Sequence, residues 1–248
     1  MCYRISLFAV WLAALALTGC ERSSEPNAAV APSSPAARPL VALPSPPLLS
    51  PEGYQLLLDY EVGGGERYYT LKLARPTWPG YESGVTIGVG YDLGYNSAGV
   101  IRTDWHEVNR PWLGRLAAVS GIKGRPAKPE AAELRDILIA WRLAEGVFQR
   151  VTLTRFHQLA ARTFPGFTDL HPNAQAALVS LVFNRGSSMT GPRRAEMRSI
   201  RDRVPRQDYA GIAADIRAMI PIWAGTSIEK GMRRRREAEA RLVELAIH

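Results

Sequence analysis

Among the acids of this sequence, Glu61 is the one best placed to do chemistry. Tyr54, Leu57, Leu58 and Glu61 recur at i, i+3, i+4 and i+7, so they share one face of a helix. That helix starts well at Ser50-Pro51-Glu52, with a capping hydroxyl, a proline in the first turn and then an acid. Gly63-Gly64-Gly65 ends it. A carboxyl on the apolar face at a helix C-terminus meets the negative end of the dipole and, once buried, loses hydration. Both effects raise its pKa. An acid that keeps its proton near neutrality can protonate a departing oxygen, the step that glycoside cleavage requires. The competing reading is an acid that snorkels to solvent or pairs with Arg67.

A second candidate is the stretch Val85-Thr86-Ile87-Gly88-Val89-Gly90-Tyr91-Asp92. Read as a strand, it turns Val85, Ile87, Val89 and Tyr91 to an apolar face. Thr86, Gly88, Gly90 and Asp92 then form the other face, two polar residues separated by bare backbone that a ligand can approach closely. Six residues of straight strand span about 20 Å, so Thr86 and Asp92 share a site only where the glycines bend it. A core strand with glycine bulges fits the pattern equally well. A further acid, Glu82, lies in the Gly- and Pro-rich approach. Asn184, near a helix end, reads as a substrate contact or as part of a C-terminal cap beside Gly186. Trp78, Tyr81 and Tyr91 suit either sugar stacking or packing. The arginine run 233–236 suits either phosphate binding or a solvated face with one or two internal ion pairs.

These residues need a scaffold, and the pattern supplies one. Residues 68–95 have strand character. After them, helical stripes fall at Leu134, Ile137, Leu138 and Trp141, and at Phe156, Leu159 and Ala160. Two more follow at Ala174, Ala177, Leu178, Leu181 and Val182, and at Tyr209, Ile212, Ala213, Ile216, Met219 and Ile220. A very basic helix, Met232 to Ile247, closes the chain. The expectation is an α+β domain over residues 51–248, mostly helical, with a small β-region after the first helix.

Residues 1–19 read as a lipoprotein signal peptide. Arg4 gives a positive start, and Ile5 to Leu17 is an uncharged apolar run shorter than the about 20 residues a bilayer span needs. It ends Leu17-Thr18-Gly19-Cys20, a lipobox-like sequence that makes Cys20 the lipidation site. Glu21 follows rather than an aspartate, which favours an outer-membrane anchor facing the periplasm. Residues 20–50 are a linker: the stretch 21–50 holds seven prolines, six serines and six alanines with no hydrophobic periodicity. It reaches at most about 90 Å at roughly 3.1 Å per residue.

Net charge is +8 at pH 7, which draws anionic partners, cell wall and nucleic acid among them. The export signal argues against nucleic acid. Both cysteines, Cys2 and Cys20, precede the domain, so it has neither a disulfide framework nor a Cys-based zinc site. The histidines at 106, 157, 171 and 248 have no metal-ligand spacing. Nucleophile-elbow, P-loop and dinucleotide fingerprints are absent.

A helix ending in Glu61 followed by Thr86-Ile87-Gly88-Val89-Gly90 resembles the phage-type lysozymes, glycoside hydrolase family 24. The segment from Ala176 to Gly186 is similar to that family's central helix and the turn after it. Trp223, Gly231-Met232 and Arg235-Arg236-Glu237-Ala238-Glu239 resemble its C-terminal tryptophan and Gly-x-x-x-Arg-Arg-x-x-Glu stretch. Together these cover most of residues 50–246. One position departs: where the family usually has an aspartate or cysteine six residues before the threonine, this chain has Gly80. Asp92 instead follows six residues after Thr86, and that Glu…Thr…Asp order resembles the muramidase domain of pesticin-type bacteriocins. The resemblance implies a monomeric lysozyme-like enzyme without cofactor or metal. Its substrate would be the β-1,4 bond between N-acetylmuramic acid and N-acetylglucosamine in peptidoglycan. Glu61 would be the general acid, and Asp92 and Thr86 would hold the attacking water. Asn184, Tyr91 and Glu82 would contact substrate. A lytic transglycosylase and a non-catalytic wall-binding lipoprotein are the alternatives.

Overall fold

The structure, a computed structural model, describes residues 48–63 and 65–247. Up to residue 47, the segments expected to be a signal peptide and a linker, with Cys20, lie outside the described residues. Of those described, 65% are helical and 4% are in strands, which makes the chain mainly α with one small β element.

Helix α1 (Pro51–Glu61) begins as its sequence dictates: the Ser50 hydroxyl accepts the Gly53 amide at 3.1 Å. The packed region starts slightly earlier than residue 51, because Leu49 is already buried in the core. The glycine turn does not lead into a strand. Helix α2 (Gly65–Lys72) follows at once, so the expected strand character at 68–72 is wrong. Glu66 in its first turn and Lys72 in its last complement the helix dipole. Its one buried residue, Tyr69, packs on Trp141 and donates to the Ile139 carbonyl at 3.0 Å.

The stretch from Val85 to Asp92 is a hairpin rather than one strand. Strand β1 (Thr86–Ile87) pairs antiparallel with β2 (Tyr91–Asp92), in the register Thr86↔Asp92 and Ile87↔Tyr91. Gly88 and Gly90 turn the chain with φ of +58° and +71°, values that side chains with a Cβ rarely adopt. The odd residues Val85, Ile87, Val89 and Tyr91 are all buried, because a three-residue turn preserves the alternation. Thr77 extends the ladder, exchanging both backbone hydrogen bonds with Thr86.

Next come α3 (Ala98–Asp104), α4 (Arg110–Ala118) and α5 (Ala127–Glu133). The helical stripe expected at Leu134, Ile137, Leu138 and Trp141 does not form. Residues 137–140 form no helix, Ala140 is extended, and the Ile139 amide donates to the Ala74 carbonyl at 2.8 Å. The true period there is two: Ile137 and Ile139 are buried, while Leu138 between them is 50% exposed. Helix α6 (Trp141–Val147) then runs through a π-helical segment, Phe148–Leu153, into α7 (Thr154–Thr163), one unbroken rod.

Helix α8 (Pro172–Arg185) lies at the centre, buried continuously from Ala176 to Phe183 and packed against α1, α7 and the C-terminal helix. Its approach to α1 is so close that a Cβ on Gly53 would sit 2.1 Å from that of Ala176. Helices α9 (Ala195–Arg203), α10 (Tyr209–Ala218) and α11 (Glu229–Glu244) complete the bundle. The buried apolar residues of all these elements join in one core, so α1 and the hairpin belong to one packed unit. No helix among the described residues is long and apolar enough to cross a membrane.

Candidate active site

Glu61 ends α1 with its side chain only 8% exposed. Its partner is Arg235 of α11, whose Nη1 donates to Glu61 Oε1 at 2.8 Å; Arg67 plays no part in this pairing. Burial pushes the Glu61 carboxyl up from the ordinary carboxylate range. The Arg235 charge and hydrogen bond pull it down, and the nearby charge of Glu239 pushes it up again. The net direction is upward because burial outweighs Arg235, which is also shared: its Nε donates to Glu239 Oε1 at 3.1 Å. One guanidinium divided between two carboxylates cannot fully compensate the desolvation of either.

A buried network stands behind that pair. Glu239 Oε1 accepts from Ser180 Oγ at 2.6 Å and from Arg236 Nη2 at 3.0 Å, in addition to Arg235. Arg235 also reaches the Ser180 hydroxyl and carbonyl. Arg236 lies wholly inside, and burial pulls its guanidinium down to about 10. The arginine run is therefore split. Arg233 and Arg234 are exposed, as a solvated face requires, whereas Arg235 and Arg236 are structural cations of the interior. Asn184 serves this network too, its Oδ1 accepting from Arg236 Nη2 at 3.1 Å. It sits within the last turn of α8, and Gly186 takes the C-cap position.

The hairpin presents the other candidates. As cross-strand partners, Thr86 and Asp92 turn their side chains to the same face, with Cβ atoms about 5 Å apart. The glycine bend thus brings together what a straight strand would separate. The Asp92 carboxylate is cradled by backbone: Gly94 donates to Oδ1 at 2.8 Å, and Gly84 donates to Oδ1 and Oδ2 at 3.1 and 3.0 Å. Burial raises its pKa, and those amides and Lys123 oppose the rise. The cradle depends on glycine. A Cβ on Gly84 would lie 2.5 Å from Asp92 Oδ1 and 2.6 Å from Gly94 Cα.

Thr86 separates two hollows that meet at Pro79, Thr86 and Gly90. The first is walled by Asp92, Tyr91, Tyr95 and the helical rod. The second reaches across Trp78 to Tyr68, whose ring lies beside Gly63, and Glu61 itself lines neither hollow. Tyr91 forms part of the first wall, but its ring is buried edge-on against Trp105 and its hydroxyl donates to Asp104 at 2.6 Å. Burial, and then the Asp104 carboxylate, hold that phenol well above its usual range. Glu82 is exposed and lines neither hollow, and only its carbonyl is engaged, by the Tyr95 hydroxyl. Tyr81, by contrast, is 83% exposed and held at a φ of +52°. Among the described residues no group of three His, Cys, Asp or Glu side chains could hold a metal ion.

The roles of Arg235 and Glu239 are the part that candidate picking by residue type passes over. The signal was present: Arg236, Glu239, Ala240 and Val243 recur at i, i+3, i+4 and i+7, which puts charged residues on the apolar face of α11. No protein-family model matches this sequence, and no curated protein does either.

Proposed function

We propose that this chain is a peptidoglycan hydrolase with a lysozyme-like fold, cleaving the β-1,4 bond between N-acetylmuramic acid and N-acetylglucosamine. The observation that carries the reading is Glu61: a buried carboxyl at a helix C-terminus, pushed toward its protonated form and held by one shared arginine. Glu61 protonates the leaving oxygen. Asp92, fixed by two glycine amides, directs water to the opposite face of the sugar, and the Thr86 hydroxyl beside it orients that water. A carboxylate set to activate water favours hydrolysis over attack by the substrate's own hydroxyl, the transglycosylase route.

The lipobox-like sequence ending at Cys20 and the proline-rich stretch after it fit a domain tethered to the outer membrane and reaching the wall. The +8 charge suits a polymer with carboxylates on its peptide stems. The test is release of soluble muropeptides from purified sacculi by the full chain. Glu61→Gln keeps the shape and loses the proton, so release should fall about 10²–10⁴-fold. Release by Glu61→Gln near the wild-type rate would remove the assignment.

A further inference from the structure

The first hollow has two facing walls of different chemistry. The hairpin side carries Thr86 and Asp92. The rod side carries Val151, Thr152, Arg155 and Phe156, which recur at i, i+1, i+4 and i+5 and so form one broad helical face. Val151 and Thr152 belong to the π-helical segment, a rare distortion that concentrates at functional sites. Among the described residues, Asp92 is the single acid lining this hollow and Arg155 the single base.

The two do not neutralise each other. Asp92 accepts three backbone bonds from Gly84 and Gly94, and the cation that acts on it is Lys123. Arg155 acts on the hollow's wall through its charge, easing the ionisation of Tyr91. Among the described residues its guanidinium has no hydrogen-bond or ion-pair partner, whereas Arg150, one turn earlier, pairs with Glu107 at 2.8 Å. An unpaired planar fork of donors beside a cleft fits a carboxylate, which it grips through two parallel hydrogen bonds. The Thr152 hydroxyl on the preceding turn adds a donor, and Phe156 supplies an apolar floor.

We propose that Arg155 is the receptor for a substrate carboxylate. With the glycan lying between the hairpin and the rod, it binds a free carboxylate of the peptide stem and sets a preference for stem-bearing over carboxylate-free wall. The inference rests on the peptidoglycan reading. It makes Arg155 a recognition residue with no part in the bond-breaking step.

The test is a cycle with the full chain, crossing Arg155→Gln against sacculi whose free carboxyls have been amidated with ammonia. Arg102→Gln, an exposed arginine of α3, is the control for losing one positive charge. Fragment release is measured as KM and kcat, and cosedimentation with the same sacculi as binding. Arg155→Gln should raise KM on native sacculi about tenfold, the scale of one charge-assisted hydrogen bond, with kcat little changed. Amidation should cost the wild type a similar factor. Combining the two should cost no more than either alone, and Arg155→Lys should recover part of the loss. Effects that multiply, or an Arg155→Gln indistinguishable from Arg102→Gln, overturn the inference. Should the wild type release no fragments, the hydrolase reading falls, and the same non-compounding pattern in cosedimentation still decides the role of Arg155.

Discussion

Glu239→Gln separates the support of the acid from the acid itself. The substitution keeps the size of the side chain and an oxygen that can accept from Ser180, but it removes a negative charge from a site with no solvent exposure. Arg235 then keeps Glu61 as its one carboxylate, and Arg236 has none. Arg236 is left with the Asn184 amide and the substituted amide as its polar contacts, and its Nε and Nη1 already lack partners. Removing one member of a buried ion pair costs about 3–5 kcal/mol, and retained hydrogen bonds place this case near 3. For a domain of this size, that lowers Tm by about 6–12 °C, at roughly 2–4 °C per kcal/mol.

The same change alters the pH profile in a fixed direction. A general acid works while protonated, so its pKa sets the alkaline limb. Glu239 is one of the two influences that raise Glu61, and without it Arg235 turns to Glu61 alone. Glu61 becomes more acidic, and the alkaline limb moves to lower pH. Thermal unfolding of both proteins, with kcat/KM on sacculi across the acid and neutral range, reads both effects. An unchanged Tm, or a limb that stays in place or moves upward, would refute the reasoning about the shared arginine.

Three further outcomes are expected, two from the geometry and one from the sequence. Because the folded pKa of Glu61 lies above its unfolded value, ionising it disfavours the fold; wild-type Tm should fall relative to Glu61→Gln as pH rises from the usual carboxylate range, and parallel Tm curves would contradict this. Asp92→Asn should cut turnover about 10²–10⁴-fold while sacculus binding holds, Glu82→Gln should keep most activity, and Gly84→Ala should mimic Asp92→Asn at about 10²-fold by displacing the carboxylate. A dead Glu82→Gln beside an active Asp92→Asn would reverse the roles. Cys20→Ser should lose lipid modification and leave the membrane fraction; a lipidated mutant would exclude the anchor.

Periodicity told most about elements that bury one face. The stripe Tyr54, Leu57, Leu58 and Glu61 on α1 was readable because each of these side chains packs inward from the same side. The alternation from Val85 to Tyr91 was equally clear, since burial of odd residues survives a turn. The turn itself was not: glycines at 88 and 90 fit a bulge, a flat strand or a bend, and the pairing of Thr86 with Asp92 is decided by long-range packing. At 134–141 a helical spacing of apolar residues concealed a non-helical segment whose Ile139 amide bonds to Ala74, a partner no local pattern names. In the site, Glu61 and Asp92 stood out by residue type and place. Arg235 and Glu239 did not, because a buried charge is recognised by its partner, and the partner Glu61 lies 174 residues away.

The most direct test of the account is the chemistry of the cut end. Sacculi digested with the full chain are analysed by mass spectrometry for fragment ends, and a short glycan is followed by NMR for the anomer first released. Should Asp92 direct water opposite Glu61, the two carboxyls lie about 6.5–9.5 Å apart and the configuration inverts. The account predicts reducing N-acetylmuramic acid ends of inverted configuration, lost in Glu61→Gln. Anhydro ends, retained configuration, or sacculi that bind the chain and release nothing would contradict it.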